Sequence, residues 1–373
     1  MRNTMKNNRT FLEKLLDGAE VEWKPLMVLA EIGTGNSNRQ DEEENGKYPF
    51  YVRSKNILRS NSFQFDETAI IIPGEGGIGD IFHYVEGKYA LHQRAYRIHI
   101  ISDEVNTKFL YYIMHNSFKK YILSKSVGAT AISIRKPMLE KFEIPIPPLP
   151  VQTEIVKILD ALTALTSELT SELILRRKQY EYYREKLLSE EELGKVGFEW
   201  KSLSEVANIA NNARKPVKSS LRISGSTPYY GANNIQDYVE GYTHDGEFVL
   251  IAEDGSASLE NYSIQWAVGK FWANNHVHVV NGKEELNNRF LYHYLTNMNF
   301  VPFLAGKERA KLTKAKLQQI PIFVPPLEEQ HRIVSILDKF ETLTNSITEG
   351  LPLAIEQSQK RYEYYRELLL NFS

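Results

Sequence analysis

Two stretches of the chain carry the apolar periodicity of long helices. From Ile155, the positions Leu159, Leu162, Thr166, Leu169, Leu173, Arg176, Tyr180, Tyr183 and Leu187 follow alternating steps of four and three, and eight of the ten are apolar. That is the seam of a coiled coil, narrower than the apolar face of a globular helix. From Ile333 the same steps reach Leu337, Phe340, Thr344, Ile347 and Leu351, and after one extra step of four the pattern resumes at Ile355, Ser358, Tyr362, Tyr365 and Leu369. Such a stutter loosens supercoiling, and Pro352 predicts a bend. Each stretch is launched from Pro-Pro-Leu, at 147–149 and 325–327, since proline can open a helix but is strained inside one. Two seams in one chain predict an antiparallel intramolecular pair of long helices.

Elsewhere the pattern changes to short strand-like runs between polar, glycine-containing loops. Leu26 to Ile32, Thr68 to Ile72 and Tyr96 to Ile101 read as strands, followed by a helix from about Asn106 to Ser124. The second half repeats the order: strands over Phe248 to Ala252 and His276 to Val280, then a helix from about Leu286 to Asn297. The predicted fold class is α+β, with two pseudo-repeated globules joined by two long helices in an antiparallel coiled coil. The expected segments are residues 1–146, 147–194, 195–324 and 325–373.

The repeat is legible residue by residue. Gln152 meets Gln330 at an offset of 178 and Trp23 meets Trp200 at 177, so the period is far longer than that of a solenoid and marks a duplicated domain. Both long helices end in Tyr-Glu-Tyr-Tyr-Arg-Glu, at 180–185 and 362–367. A short helix over Thr10 to Asp17 carries Glu13-Lys14-Leu15-Leu16, which echoes Glu185-Lys186-Leu187-Leu188. The order is therefore pseudo-circular, and the C-terminal helix is expected to pack back near the start. Within the first long helix, Thr166-Ser167-Glu168-Leu169 and Thr170-Ser171-Glu172-Leu173 form a tetrapeptide run, each unit of which lengthens a helix by about 6 Å.

Composition narrows the class. The chain has 373 residues, 42% hydrophobic and 25% charged, with no cysteine. Disulfides, thiol catalysis and Cys-ligated zinc are excluded, as suits a cytoplasmic protein. No apolar run approaches the ~20 residues of a membrane span. The net charge of −2 is divided unevenly. Residues 1–146 hold 20 Lys and Arg against 18 Asp and Glu, and residues 195–324 hold 14 against 12. Segments 147–194 and 325–373 hold 6 against 9 and 5 against 8. An anionic partner suits the globules better than the helices.

Few motifs carry chemistry. Gly74-Glu75-Gly76-Gly77-Ile78-Gly79 has the spacing of a dinucleotide fingerprint, but Asp80 to Gly87 reads as strand and turn where the fingerprint needs a helix. His276 and His278 lack a third metal ligand of suitable spacing, so no metal is expected, and no catalytic constellation stands out. Basic residues cluster in predicted loops: Arg53, Lys55 and Arg59; Arg135 and Lys136; Arg214, Lys215 and Lys218; Lys307, Arg309, Lys311 and Lys314. Phosphate contacts need such side chains, and base edges are read by paired donors and acceptors. Gln93-Arg94 and Asn274-Asn275, taken as corresponding places, supply the second type, and Asn233, Asn234, Asp254 and Ser256 stand in the neighbouring loops of the second globule.

The ordered set of motifs on a two-fold repeat resembles the specificity subunits of type I restriction-modification systems across essentially the whole chain. The residues that carry the resemblance are the two Pro-Pro-Leu helices with Gln, Ile-Val and Leu-Asp, the Tyr-Glu-Tyr-Tyr-Arg-Glu pair and the tetrapeptide run. Pro228 to Ile235, Asp245 to Gly255 and Trp272 to His276 add to it. The resemblance implies two target-recognition domains, each reading half of a bipartite, asymmetric site on double-stranded DNA. It implies helices that set the spacer and bind two methylation subunits, with restriction subunits joining that core. Gln152, Ile155, Leu159, Tyr180, Tyr183, Gln330, Ile333, Leu337, Tyr362 and Tyr365 are the expected coiled-coil and partner positions. Catalysis is expected to be absent from this chain, with S-adenosylmethionine, ATP and Mg on the partners. The alternative is a duplicated interaction scaffold that does not bind DNA.

Overall fold

The computed structural model describes residues 10–77, 79–125, 133–306 and 310–372. In chain order the helices are α1 (Phe11–Leu16), α2 (Thr107–Lys125), α3 (Lys136–Glu140), α4 (Leu149–Leu187), α5 (Glu190–Gly194), α6 (Leu203–Val206), α7 (Asn288–Thr296), α8 (Lys314–Gln318), α9 (Leu327–Asn345) and α10 (Gly350–Leu370). The strands of the first half are β1 (Glu22–Pro25), β2 (Ala30–Thr34), β3 (Tyr48–Tyr51), β4 (Leu58–Ser60), β5 (Phe65–Pro73), β6 (His83–Leu91), β7 (Ala95–Ile100) and β8 (Glu143–Ile146). Those of the second are β9 (Glu199–Ser202), β10 (Ala207–Ile209), β11 (Ser224–Tyr230), β12 (Ile235–Val239), β13 (His244–Ala252), β14 (Ile264–Ala273), β15 (Val277–Gly282) and β16 (Pro321–Val324).

The chain forms two compact units: one comprises residues up to Glu168 and from Ile355 onward, the other Leu169–Ala354. Each contains a six-stranded sheet, ordered β2-β7-β5-β6-β3-β4 in the first and β10-β15-β13-β14-β11-β12 in the second, so adding eight to every strand number converts one into the other. The β3–β6 and β11–β14 pairs are parallel and the other neighbours antiparallel. A two-stranded ribbon accompanies each sheet, β1 with β8 and β9 with β16.

The central strands explain their uninterrupted apolar runs. Ile70 and Ile72 of β5 enter the core shared with Phe109, Leu110 and Phe118 of α2, while Ala69 and Ile71 join Tyr51, Tyr89 and Leu91 in a small core on the opposite face. Val249 and Ile251 of β13 divide from Leu250 in the same way. A strand buried on both faces reads as a continuous run instead of an alternation. The run from Leu26 behaves otherwise than expected: Leu26–Val28 is a single 3-10 turn and the strand begins at Ala30. Leu26 and Leu29 are buried while Met27 and Val28 are exposed, a three-residue spacing that suits a helical turn.

The antiparallel helix pairing is present within each unit. In the first, the start of α4 packs against the end of α10: Leu159 shares a core with Leu369 and Leu370, and farther along α4 the hydroxyls of Thr166 and Ser358 lie 2.8 Å apart. Leu12 of α1 enters the same core and the Phe11 ring stands 6.5 Å from Tyr365, so the C-terminal helix does return to the start of the chain. In the second unit, the end of α4 packs against α9, with Phe340 6.2 Å from Tyr180 and 5.6 Å from Tyr183.

The second long helix is not one helix. It is divided into α9 and α10 by residues 346–349, where a bend had been expected at Pro352. Proline lacks an N–H and clashes with the carbonyl four residues before it, so Pro352 is accommodated only in the first turn of a new helix. Gly350 opens that turn with φ +78°.

Gln152 and Gln330 fasten each globule to its helix in the same way. Gln152 Oε1 accepts from the Asn106 N–H at 2.9 Å, and its Nε2 donates to the carbonyls of Glu104 and Pro147, both at 2.8 Å. Gln330 accepts from the Asn287 N–H at 2.8 Å and donates to the carbonyls of Glu285 and Pro325 at 2.9 and 2.8 Å. Asp160 receives Lys108 at 2.9 Å and the Tyr112 hydroxyl, and Asp338 receives Arg289 at 2.8 Å and His293 at 2.7 Å. Gln152, Ile155, Leu159, Gln330, Ile333 and Leu337 are all 0% exposed. Of their expected coiled-coil and partner roles, burial leaves only the intramolecular one.

Candidate nucleic-acid interface

The loops that follow three strands of each sheet gather on one side as a rim, although the central strand runs antiparallel to its neighbour. In the first unit β3 ends at Tyr51 beside Leu91, the end of β6, and β5 ends at Pro73 beside Ala95. The loops that follow them are therefore brought together. Glu75, which bridges to Ser133 ahead of α3, receives Arg53 at 2.9 Å and Arg94 at 3.3 Å. Arg53 and Arg94, far apart in sequence, thus meet on one acid, while the neighbouring Gln93 donates to Asn38 and Arg135 stands two residues beyond the bridge. No helix follows the glycine-rich loop after β5. The chain enters β6 instead, and Ile78 lies outside the described residues.

The second unit builds the same rim from other side chains. Asp254 bridges to Lys311 ahead of α8, the counterpart of the Glu75–Ser133 bridge, and is hydrogen-bonded to His276. Asn233 braces the loop with both ends of its amide: Nδ2 donates to the Gly255 carbonyl and Oδ1 accepts from the Ala257 N–H, each at 2.8 Å. Ser256 closes the loop internally, donating to the Ser258 carbonyl at 2.7 Å and accepting from the Ser263 N–H at 3.1 Å. Asn233, Gln236, Asp254, Ser256, His276 and Lys311 line an open cleft of about 740 Å³.

The register corrects one correspondence. Tyr51 pairs with Leu91 and Tyr230 with Ala273, so His92 matches Asn274, Gln93 matches Asn275 and Arg94 matches His276. His92 and Asn274 are both buried and do one job: His92 Nδ1 accepts the Arg94 N–H at 3.0 Å, and Asn274 Oδ1 accepts the His276 N–H at 2.7 Å. Asn274 is therefore a turn-former. The exposed positions are Gln93 and Asn275, then Arg94 and His276. His276 and Glu75, which stand at these two rims, were not among the candidates read from the sequence. Their signal was an acid after the central strand and a basic residue after β6 or β14 in both halves.

Beneath the second rim lies a network of charges. Arg214 donates to Glu253 at 2.7 Å and to the Val277 carbonyl at 2.8 Å, and Lys311 reaches Glu253 at 2.9 Å. Burial pushes the Glu253 carboxyl up, but its hydrogen bonds from Arg214 and Lys311 outweigh that and hold it below its ordinary value. Arg214 is thus a brace, where a DNA contact had been expected. Burial holds His278 below its ordinary pKa. Its Nε2 donates to the Leu312 carbonyl at 2.7 Å and its Nδ1 accepts from Asn211 at 2.9 Å.

The other expected contacts are scattered. Arg59 lies on edge strand β4 and donates to the carbonyls of Gly46 and Lys47 at 2.9 and 3.3 Å. Lys136 opens α3 and sits 3.9 Å from Glu140. Lys215 stands over the Trp272 ring at 5.9 Å. Asn234 is exposed at the second rim. Lys55, Arg135, Lys218 and Lys314 are exposed, with no side-chain hydrogen bond or ion pair among the described residues. Lys307 and Arg309 lie outside the described residues. The metal-type cluster of His293, Asp338 and Glu341 already holds the cation of Arg289.

Comparison with known proteins agrees with this duplicated architecture. The family model for the type I restriction modification DNA specificity domain matches residues 20–176 and 195–357. The Escherichia coli type I restriction enzyme EcoprrI specificity subunit is 33% identical over 376 residues, covering 91% of this chain and 92% of that one. A Haemophilus influenzae chain, also named as a type I restriction enzyme specificity subunit, is 74% identical over 193 residues, 51% of this chain and 49% of its own length, so the match spans about half of it. The crystal structure of an S subunit of a type I restriction-modification system from M. genitalium shares the fold, with a TM-score of 0.63 at 19% identity over 98% of this chain and 96% of that one. Both halves carry the same domain, and this chain belongs to the type I restriction modification DNA specificity domain family as a specificity subunit.

Proposed function

We propose that each unit reads one half of a bipartite, asymmetric site on double-stranded DNA through its sheet rim, and that the chain directs partner subunits to that site. The observation that carries this reading is that the two sheets share one strand order and one set of helix clamps while their rims differ. Arg53, Glu75 and Arg94 stand on the first rim, and Asp254, His276 and Lys311 on the second. Unlike half-sites need unlike edges presented on a common frame: arginine offers paired donors to guanine, and carboxylates accept from cytosine. Lys55, Arg135, Lys218 and Lys314 suit phosphate contacts, which position without specifying. The 74% match confined to about half of the chain fits a protein whose modules vary separately.

The chain itself catalyses nothing in this reading. Two methylation subunits supply adenine methylation with S-adenosylmethionine, restriction subunits supply cleavage with ATP and Mg, and the assembly works in the cytoplasm. The test is to replace residues 195–324 with the second domain of another specificity subunit and map methylated adenines genome-wide. One half of the methylated motif should change and the other persist. Changes in both halves or in neither defeat the reading. Salt-insensitive or absent DNA binding by the assembled complex would favour a scaffold without DNA.

A further inference from the structure

The two rims carry different side chains on one backbone frame. In the first unit the Gly74 N–H donates to the Arg94 carbonyl at 2.9 Å, and the Gly74 carbonyl accepts from the Ile134 N–H at 2.8 Å. In the second the Glu253 N–H donates to the His276 carbonyl and the Glu253 carbonyl accepts from the Leu312 N–H, both at 2.8 Å. The next residue is an acid in both, Glu75 or Asp254, and each acid holds the side chain of Arg94 or His276. The turns closed by His92 and Asn274 fix the N–H of those same two residues. Arg94 and His276 are thus tied at both the N–H and the carbonyl, yet their side chains are 56% and 49% exposed. A side chain left in solvent on so constrained a backbone is preorganised for a ligand.

Two positions built alike and filled differently are where unlike half-sites can be told apart. On the first rim Glu75 is shared by Arg53 at 2.9 Å and Arg94 at 3.3 Å. Arg53 is the nearer and the less exposed of the two, so it neutralises the acid and leaves the fork of Arg94 for a base. Counting on from Tyr51 and Tyr230, Ala232 stands at the place of Arg53, so no arginine shares Asp254 in this way. A carboxylate only accepts, so His276 Nδ1 carries the proton between them and the neutral ring keeps Nε2 as a single acceptor. Paired arginine donors match O6 and N7 of guanine, whereas one acceptor matches the amino group of adenine or cytosine.

We propose that Glu75–Arg94 and Asp254–His276 are matching specificity pairs, each reading one base of its half-site. Arg94 reads a guanine, and His276 reads a position where adenine and cytosine are accepted alike on one strand. Glu75, Arg53 and Asp254 are positioning residues. This rests on the proposed reading of a bipartite DNA site through the rims.

The chain is assembled with its methylation subunits and its motif is mapped from methylated adenines. Affinity is then measured on duplexes carrying each of the four bases at every position of both half-sites. One position of the first half-site should favour guanine by roughly tenfold or more, the scale of a paired arginine contact. Arg94→Gln should remove that preference and leave every other position as it was. His276→Arg combined with Asp254→Glu should move one position of the second half-site from adenine or cytosine to guanine. In each variant the untouched half-site reports that the chain is folded. A first half-site without guanine on either strand overturns the proposal, as does an unchanged base preference in either variant. A loss of affinity that is uniform over the four bases marks a structural role and overturns it too. If exchange of residues 195–324 still alters one half-site, only the assignment of the pairs has failed; if it alters neither, the rim reading has failed with it.

Discussion

A primary amide has four hydrogen-bonding positions, and burying it is tolerable only when they are met. Gln152 and Gln330 each meet three, with an N–H and two carbonyls that no regular element satisfies. Leucine at Gln330 keeps the bulk and abandons all three partners. Gln330→Leu should therefore lower stability by at least about 3 kcal/mol, at about 1–3 kcal/mol for each of the three groups left unsatisfied. Denaturant unfolding followed by intrinsic fluorescence measures it, and a cost near zero would show that water replaces the amide. Acid sensitivity also belongs to this scale. Burial is the first cause holding His83, His92, His244 and His278 below the ordinary value of 6.5. The unfolded chain then binds more protons than the folded one once pH falls below 6.5, so stability drops as the rings are forced to protonate. The melting temperature should be lower at pH 5.5 than at 7.5, and ring titrations by NMR should put the His278 midpoint below 6.5.

Among the elements, the junction of α9 and α10 depends on one glycine. A Cβ at Gly350 would stand 2.5 Å from the Thr342 carbonyl oxygen and 2.8 Å from that of Leu343, and φ is +78°. Both the backbone conformation and the close approach exclude a side chain. Gly350→Ala should cost about 1–3 kcal/mol, the scale of a strained left-handed residue, and circular dichroism should show an unchanged helix content at low temperature with an earlier melt. The aspartates of the Ile-Leu-Asp motifs act between elements. Burial pushes the Asp338 carboxyl up, but the hydrogen bonds from His293 and Arg289 prevail and leave it below its ordinary 3.8. A carboxyl held low contributes stability above that value and loses it as pH falls through the folded pKa. Asp338→Asn should thus destabilise the chain at neutral pH and narrow the difference between the two proteins as pH drops below about 3.8, the value it has unpaired.

At the scale of the molecule, α4 runs for 39 residues and belongs to both units. One further Thr-Ser-Glu-Leu unit after Leu173 adds about 6 Å of helix. The methylated motif should then keep both half-sites and gain spacer, and an unchanged spacing would remove α4 from the role of ruler. The sequence by itself determined the duplication, most seam residues (Ile347, 79% exposed in the break between α9 and α10, is the exception), the Pro-Pro launch of each long helix and the α+β class. These are periodic or local signals, and a repeat offset near 178 residues needs no contacts to be read. Basic loops were legible as candidates. Their uses were not, because an arginine that donates to Glu253 and one that stands in solvent look alike along the chain.

Tertiary structure alone decided the rest. It turned Arg214 and Asn233 into braces, and brought Arg53 and Arg94 onto Glu75. It placed His276 opposite Asp254 and directed the two glutamines inward. The physical reason is that a polar side chain takes its role from the partner that satisfies it, and those partners lie tens of residues away, reached only when the strands have paired.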